Sequence, residues 1–208
     1  MKPIFWQSQL TTFLLYCNGT ELEKKILDCG AGGRRPPLAI FKDQGYETMG
    51  LEISDQSLER ASAFESEFGY DLNIRKGDLR EIPLKDESMS FLYTYNTIFH
   101  LPKAEIKLAL HEFNRVMKPG GLCFINLLTT EDHGFGQGKE VGPGEFLQEE
   151  MGEQVLHCYH EKTEAEAYFT EAGFDVIYKE IRKRIGPSRA GGKITLGYVD
   201  YIVEKIKK

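Results

Sequence analysis

Three carboxylates in the first half of the sequence each lie in or directly after a short apolar run. They are Asp28 in Ile26-Leu27-Asp28-Cys29, Glu52 in Gly50-Leu51-Glu52-Ile53-Ser54, and Asp78 in Lys76-Gly77-Asp78-Leu79. The first leads into Gly30-Ala31-Gly32-Gly33, where the lack of bulky side chains lets the chain turn tightly and a ligand approach backbone amides at a helix start. Glu52 follows that loop by about 20 residues, the spacing at which a carboxylate accepts hydrogen bonds from both hydroxyls of a ribose. Asp78 is placed to accept a hydrogen from an adenine amino group, with the Leu79 amide beside it. Singly, each acid reads more simply as a cap, a solvated strand end or a turn residue. In this order, at successive strand ends, they read as an adenosine-binding edge. A dinucleotide fingerprint fails, because counting from Gly30 and Gly32 its third glycine falls on Arg35.

His100, just past the fourth strand-like run, is the best placed of the five histidines to act as a base toward a hydroxyl. A helix-cap or packing role is its plainer reading. His157-Cys158-Tyr159-His160 has no second ligand pair at finger spacing, so no metal is expected. Tyr16, Tyr95 and Phe99 are candidates for a pocket wall, although aromatics at such spacing are more often core.

The elements that must position these residues follow from periodicity. Leu10, Phe13, Leu14 and Cys17 share one helical face over residues 7–17, and Asn18-Gly19 stops that helix. A buried strand at 26–29 enters the glycine loop, and Pro36-Pro37 opens a helix that Gly45 closes. Strands are predicted at 48–53, 71–76, 90–95 and 122–128, with helices between them. One carries Leu58, Ala61, Ala63 and Phe64 on its inner side, and the other carries Ile106, Leu110, Phe113 and Met117. Lys118-Pro119-Gly120-Gly121 reads as a hard break before the strand at 122–128. Such alternation predicts an α/β, doubly wound, mostly parallel sheet covered on both faces. Residues 129–160 interrupt the rhythm with Gly134, Gly136, Gly138, Gly142, Pro143 and Gly144, and read as an insertion, lid or mobile loop. A helix at 163–172 and an antiparallel hairpin of 175–185 with 193–203, joined by a loop at 186–192, complete the chain.

The chain has 208 residues, 41% hydrophobic and 28% charged, with a net charge of −6, which fits one globular domain. Its parts read as an N-terminal helical cap (1–24), a ligand-binding core (25–128), the insertion (129–160), and a C-terminal helix and hairpin (161–208). The charge balance argues against nucleic acid as a partner. No apolar run reaches the roughly 18 residues of a membrane span, and polar residues near the start interrupt any signal-peptide core, so a cytoplasmic location is expected. Cys17, Cys29, Cys123 and Cys158 lack paired spacing and read as free thiols. Oligomeric state is not encoded in any of these features.

From about Ile26 to Leu128 the sequence resembles the class I S-adenosylmethionine-dependent methyltransferases, in the small-molecule branch that includes ubiquinone and menaquinone methyltransferases. The resemblance rests on the three motifs above, on Tyr93-Thr94-Tyr95-Asn96-Thr97-Ile98-Phe99-His100-Leu101, and on Arg115-Val116-Met117-Lys118-Pro119-Gly120-Gly121. It implies a Rossmann-like seven-stranded sheet with a C-terminal antiparallel strand, S-adenosyl-L-methionine as cofactor, and methyl transfer to a small molecule by in-line displacement. It also implies roles: Asp28 and the loop Gly30-Ala31-Gly32 at the methionine portion, Glu52 at the ribose, Ile53 at the adenine face, Asp78 and Leu79 at the adenine edge, and Asn96 beside the sulfonium. Arg34-Arg35-Pro36-Pro37 departs from the small residues usual at the loop exit. A cofactor-binding protein without catalysis and a nicotinamide-dependent oxidoreductase are the competing readings.

Overall fold

The computed structural model describes residues 7–150, 152–187 and 191–207. Residues 1–6 of the expected cap, residues 188–190 of the expected hairpin loop, and Lys208 lie outside the described residues.

Seven strands form the central sheet: β1 (Lys25–Cys29), β2 (Glu47–Glu52), β3 (Ile74–Lys76), β4 (Met89–Thr94), β5 (Met117–Thr129), β9 (Phe174–Pro187) and β10 (Lys193–Lys205). Their order is β3-β2-β1-β4-β5-β10-β9, parallel as far as β5, with β10 antiparallel to both β5 and β9. β1 and β4 are buried along nearly their whole length, as strands covered on both faces must be. On one face, α1 (Ser8–Asn18) and α2 (Leu38–Asp43) bring Leu10, Phe13, Leu38 and Phe41 against Phe91, Tyr93 and Phe124, and α3 (Asp55–Phe68) adds Phe64. On the other, α4 (Lys103–Val116) and α5 (Glu164–Glu171) bring Ile106, Leu110, Phe113 and Phe169 against Leu92, Ile125 and Tyr201. Each fully buried side chain of this size stabilises the fold by about 1.5–3 kcal/mol.

Three local expectations change. The strand expected at 71–76 is confined to Ile74–Lys76. Ala63 is exposed, and only Ala61 and Phe64 of α3 are buried, because α3 lies on the sheet with a narrower stripe than the sequence suggested. The stretch Lys118-Pro119-Gly120-Gly121 does not separate helix from strand, since α4 runs directly into β5. Met89 pairs with Met117 and Phe91 with Leu122, so the extra residues bulge out of the ladder, with Gly120 at φ 76°. Pro119, which has no amide to donate, fits that unpaired segment.

Residues 129–160 fold into an antiparallel unit of β6 (Lys139–Gly142), β7 (Glu145–Glu150) and β8 (Glu153–His160). β8 joins the main sheet through Leu128–Tyr159 and Thr129–His160. β10 already occupies one edge of β5 up to Leu128, and β4 leaves the other at Ile125. β8 therefore takes the edge that β4 vacates, above the residues that follow β4.

Candidate functional site

The chain order reverses between β1 and β4, so the crevice at their carboxyl ends is where an open parallel sheet binds a ligand. A cavity of about 370 Å³ lies there, and its walls include Gly30, Glu52, Ile53, Asp78, Leu79 and Asn96 of the expected set. Sequence reasoning did not single out Arg80, Thr97 or Leu101, which also face it. Ile53 is 60% exposed, an apolar surface left open at the crevice.

The glycine loop is built by close approach. Gly30 has φ 105°, and a Cβ there would lie 2.2 Å from Thr97 Oγ1; a Cβ on Gly32 would lie 2.5 Å from Glu52 Oε2. The loop amides are engaged within the protein. Gly30 N and Ala31 N donate to Leu51 O at 2.8 and 3.0 Å, and Gly33 N donates to Ser57 O at 2.9 Å. Gly32 N donates to Glu52 Oε2 at 3.0 Å, and Ser54 N donates to Glu52 Oε1 at 2.8 Å. Glu52 is thus fixed at the strand end by its own backbone neighbours.

Two acids sit differently from the sequence expectation. Asp28 is 1% exposed and does not line the cavity. Its β1 position pairs with Tyr93 on β4, and Tyr93 Oη donates to Asp28 Oδ2 at 2.6 Å. Burial raises the Asp28 pKa to about 8, against the lowering effect of the Tyr93 hydroxyl and with a further rise from Glu52. Asp78 faces the cavity, but its carboxylate accepts from Arg80, whose Nε lies 2.9 Å from Oδ1 and whose other arm pairs with Glu105. Hydrogen bonding from Arg80 holds the Asp78 pKa below the usual carboxylate range.

Asn96 has φ 55° and is held by Asn126 of β5: Asn96 N donates to Asn126 Oδ1 at 2.7 Å, and Asn126 Nδ2 donates to Asn96 Oδ1 at 2.6 Å. Asn96 and His100 line both this cavity and a larger neighbour of about 740 Å³ formed under β7 and β8. Phe99, His157 and Tyr159 form part of the larger cavity's wall. Tyr95 instead donates to Gln9 at 3.4 Å, and Tyr16 packs on Tyr178 and lines a separate surface cavity beside Leu22 and Pro119, so of the three aromatics singled out only Phe99 borders the cavities at the crevice.

His100 Nδ1 lies 3.0 Å from Leu156 O. A carbonyl only accepts, so the neutral ring carries its hydrogen on Nδ1 and its lone pair on Nε2. His157 packs edge-on against His100 with ring centroids 4.8 Å apart, and its Nε2 lies 3.5 Å from Glu150 Oε1. Burial, and then the neighbouring His100, hold the His157 pKa below the usual imidazole range. Among the described residues no group of three or more His, Cys, Asp and Glu is placed to share a metal ion, and all four cysteines are buried and unpaired. Arg34 and Arg35 are exposed.

Residues 27–125 match the methyltransferase domain family. The chain is 27% identical over 173 residues to the sterol 24-C-methyltransferase of Yarrowia lipolytica, covering 81% of this chain and 44% of that protein. It is 28% identical over 162 residues to the enzyme of the same name from Pneumocystis carinii, covering 74% and 41%. The chain therefore spans less than half the length of these curated relatives. Among solved structures, a SAM-dependent methyltransferase from Methanosarcina mazei superposes with a TM-score of 0.75 at 20% identity, over 93% of this chain and 98% of that one. A Pyrococcus horikoshii protein superposes at 0.72 with 18% identity, over 96% and 90%. The strand order and the crevice at its switch point agree with these superpositions, and residues 27–125 are the segment that matches the methyltransferase domain family.

Proposed function

We propose that the protein transfers a methyl group from S-adenosyl-L-methionine to a small-molecule acceptor. The observation that carries this reading is the meeting of two cavities at Asn96 and His100, one lined by Glu52, Ile53 and Asp78, the other opening under β7 and β8. The residues of the first fit the cofactor: a fixed carboxylate for two ribose hydroxyls, the open Ile53 side chain for an adenine face, and Asp78 with Leu79 for its edge. Asp78 serves there once it shares its carboxylate between Arg80 and the adenine amino group. Asn96 borders the sulfonium, and Gly30 lines the wall near the methionine portion, with Ala31 buried behind it and Gly32 held on Glu52. Asp28 acts from beneath, through the strand it anchors. When bound, the cofactor supplies an activated methyl on a sulfonium, whose leaving group needs no protonation.

The protein's own task is then alignment, which supplies several kcal/mol when acceptor and methyl are held in line. His100 Nε2, with Nδ1–H tied to Leu156 O, is oriented to accept a proton from the acceptor. A net charge of −6 disfavours nucleic acid as acceptor, and among the described residues no helix is long and apolar enough to cross a membrane. We place the protein in the cytoplasm on these grounds.

Calorimetry with S-adenosylmethionine, S-adenosylhomocysteine and NAD tests the reading. Binding of the first two and not of NAD is the expected result; NAD binding alone favours the oxidoreductase, and no binding of any of the three overturns the assignment of the crevice.

A further inference from the structure

The larger cavity has an unusual charge pattern for a methyl-acceptor pocket. Its walls hold three carboxylates, Asp132, Glu149 and Glu150, together with His100, His133 and His157, and among the described residues no lysine or arginine. Asp132 is 7% exposed and committed: it accepts from Gly134 N at 2.8 Å and Gly197 N at 2.9 Å, and lies 3.1 Å from His133 Nδ1. It contributes field rather than contact. Glu149 and Glu150 are exposed at the end of β7, where Glu150 Oε1 lies 3.5 Å from His157 Nε2. Deeper in, the His157 side chain is 9% exposed, and its Nδ1 has no hydrogen-bond partner among the described residues. A buried polar atom without a partner is costly, so a hydrogen-bonding ligand or water is called for at this wall.

An anionic acceptor meets repulsion here, and a sterol meets carboxylates and imidazoles interspersed among Phe99, Leu128, Leu196 and Tyr198. A cation meets a favourable field and two exposed carboxylates. Building on the methyltransferase reading, we propose that the cavity under β7 and β8 is the acceptor site for a small organic amine, drawn in as its ammonium by Glu149 and Glu150 and presented to the cofactor crevice beside His100. The ammonium loses one proton to Nε2 of His100. The freed nitrogen lone pair then forms the N–C bond while the C–S bond breaks with its electron pair left on sulfur. The product departs as the methylated ammonium, and His100 returns its proton to water.

The test uses the full chain saturated with S-adenosylhomocysteine, titrated by calorimetry with phenethylamine, histamine, putrescine and spermidine. The shape-matched 2-phenylethanol and 3-phenylpropionate, and cholesterol in detergent micelles, are the contrasts. At least one amine is expected to bind at least about tenfold more tightly than any contrast compound. The double variant Glu149→Gln/Glu150→Gln, altered only at exposed positions, is expected to lose that preference while keeping its affinity for S-adenosylhomocysteine. No amine binding, equal binding of the alcohol, the anion or the sterol, or an unchanged preference in the double variant overturns the inference. Failure of S-adenosylhomocysteine itself to bind overturns instead the methyltransferase reading on which it rests.

Discussion

Asn126 holds Asn96 at two points, accepting from its backbone amide at 2.7 Å and donating to its side-chain oxygen at 2.6 Å. Asn126 is completely buried in β5, and Asn96 sits at φ 55° where both cavities meet. The pair fixes a backbone conformation that a non-glycine residue adopts at some cost. Asn126→Leu keeps the branching of the side chain but leaves the Asn96 amide without its acceptor. Urea denaturation is expected to show a loss of about 1–3 kcal/mol, and methyl transfer is expected to fall with it. Parent-like stability and turnover would show that Asn96 needs no such support.

Glu52 touches Gly32 N and Ser54 N, and a Cβ at Gly32 would collide with its Oε2 at 2.5 Å. Glu52→Ala is expected to weaken S-adenosylhomocysteine binding by about 1–3 kcal/mol through lost charge-assisted hydrogen bonds. Gly32→Ala acts on the same carboxylate by displacing it. The double variant should therefore bind about as weakly as the worse single one, the non-additivity expected of neighbours. Additive losses in calorimetry would separate the two residues and remove Glu52 from the reason for the glycine.

Burial raises the Asp28 pKa from an ordinary 3.8 to about 8. Below pH 4 the carboxyl is protonated in both folded and unfolded chains; between pH 4 and 8 the folded chain binds more protons. Stability from this group is therefore present at low pH and lost as pH rises through that window, by at most about 1.4 kcal/mol per pH unit. Asp28→Asn keeps an acceptor for the Tyr93 hydroxyl and removes the titration. Its denaturation midpoint should gain on the parent as pH rises from 5 to 8. Parallel pH curves for the two proteins would place a charged Asp28 in the native fold.

The sheet, its helices and the strand positions of the three acids were legible because their signals are local: strand-like runs ending at Gly30, Glu52 and Gly77, and helical spacing at Ile106, Leu110 and Phe113. What those acids touch was not local. Tyr93 reaches Asp28 across the β1–β4 ladder, and Arg80 claims Asp78 from two residues away although nothing in its position announces it. Asn126 left a trace, a polar residue inside the apolar run of β5, since a buried amide must find partners. The meeting of His157 with Glu150 was not legible, because β6, β7 and β8 are held by pairing with one another and with β5 rather than by a strong apolar alternation of their own.

His100 separates alignment from proton transfer. Its Nδ1 is tied to Leu156 O at 3.0 Å, and its Nε2 is the atom proposed to take the acceptor's proton. His100→Asn retains an amide N–H that can reach the carbonyl and has no group at the position of Nε2. If His100 accepts the proton, kcat is expected to fall by about 10²-fold or more, with S-adenosylhomocysteine affinity and the denaturation midpoint close to the parent. If His100 only packs, the Asn variant should keep its kcat, because the bond that holds the β8 backbone is preserved. A variant that loses cofactor affinity along with kcat would point to a third role, as a wall of the cofactor crevice it also lines.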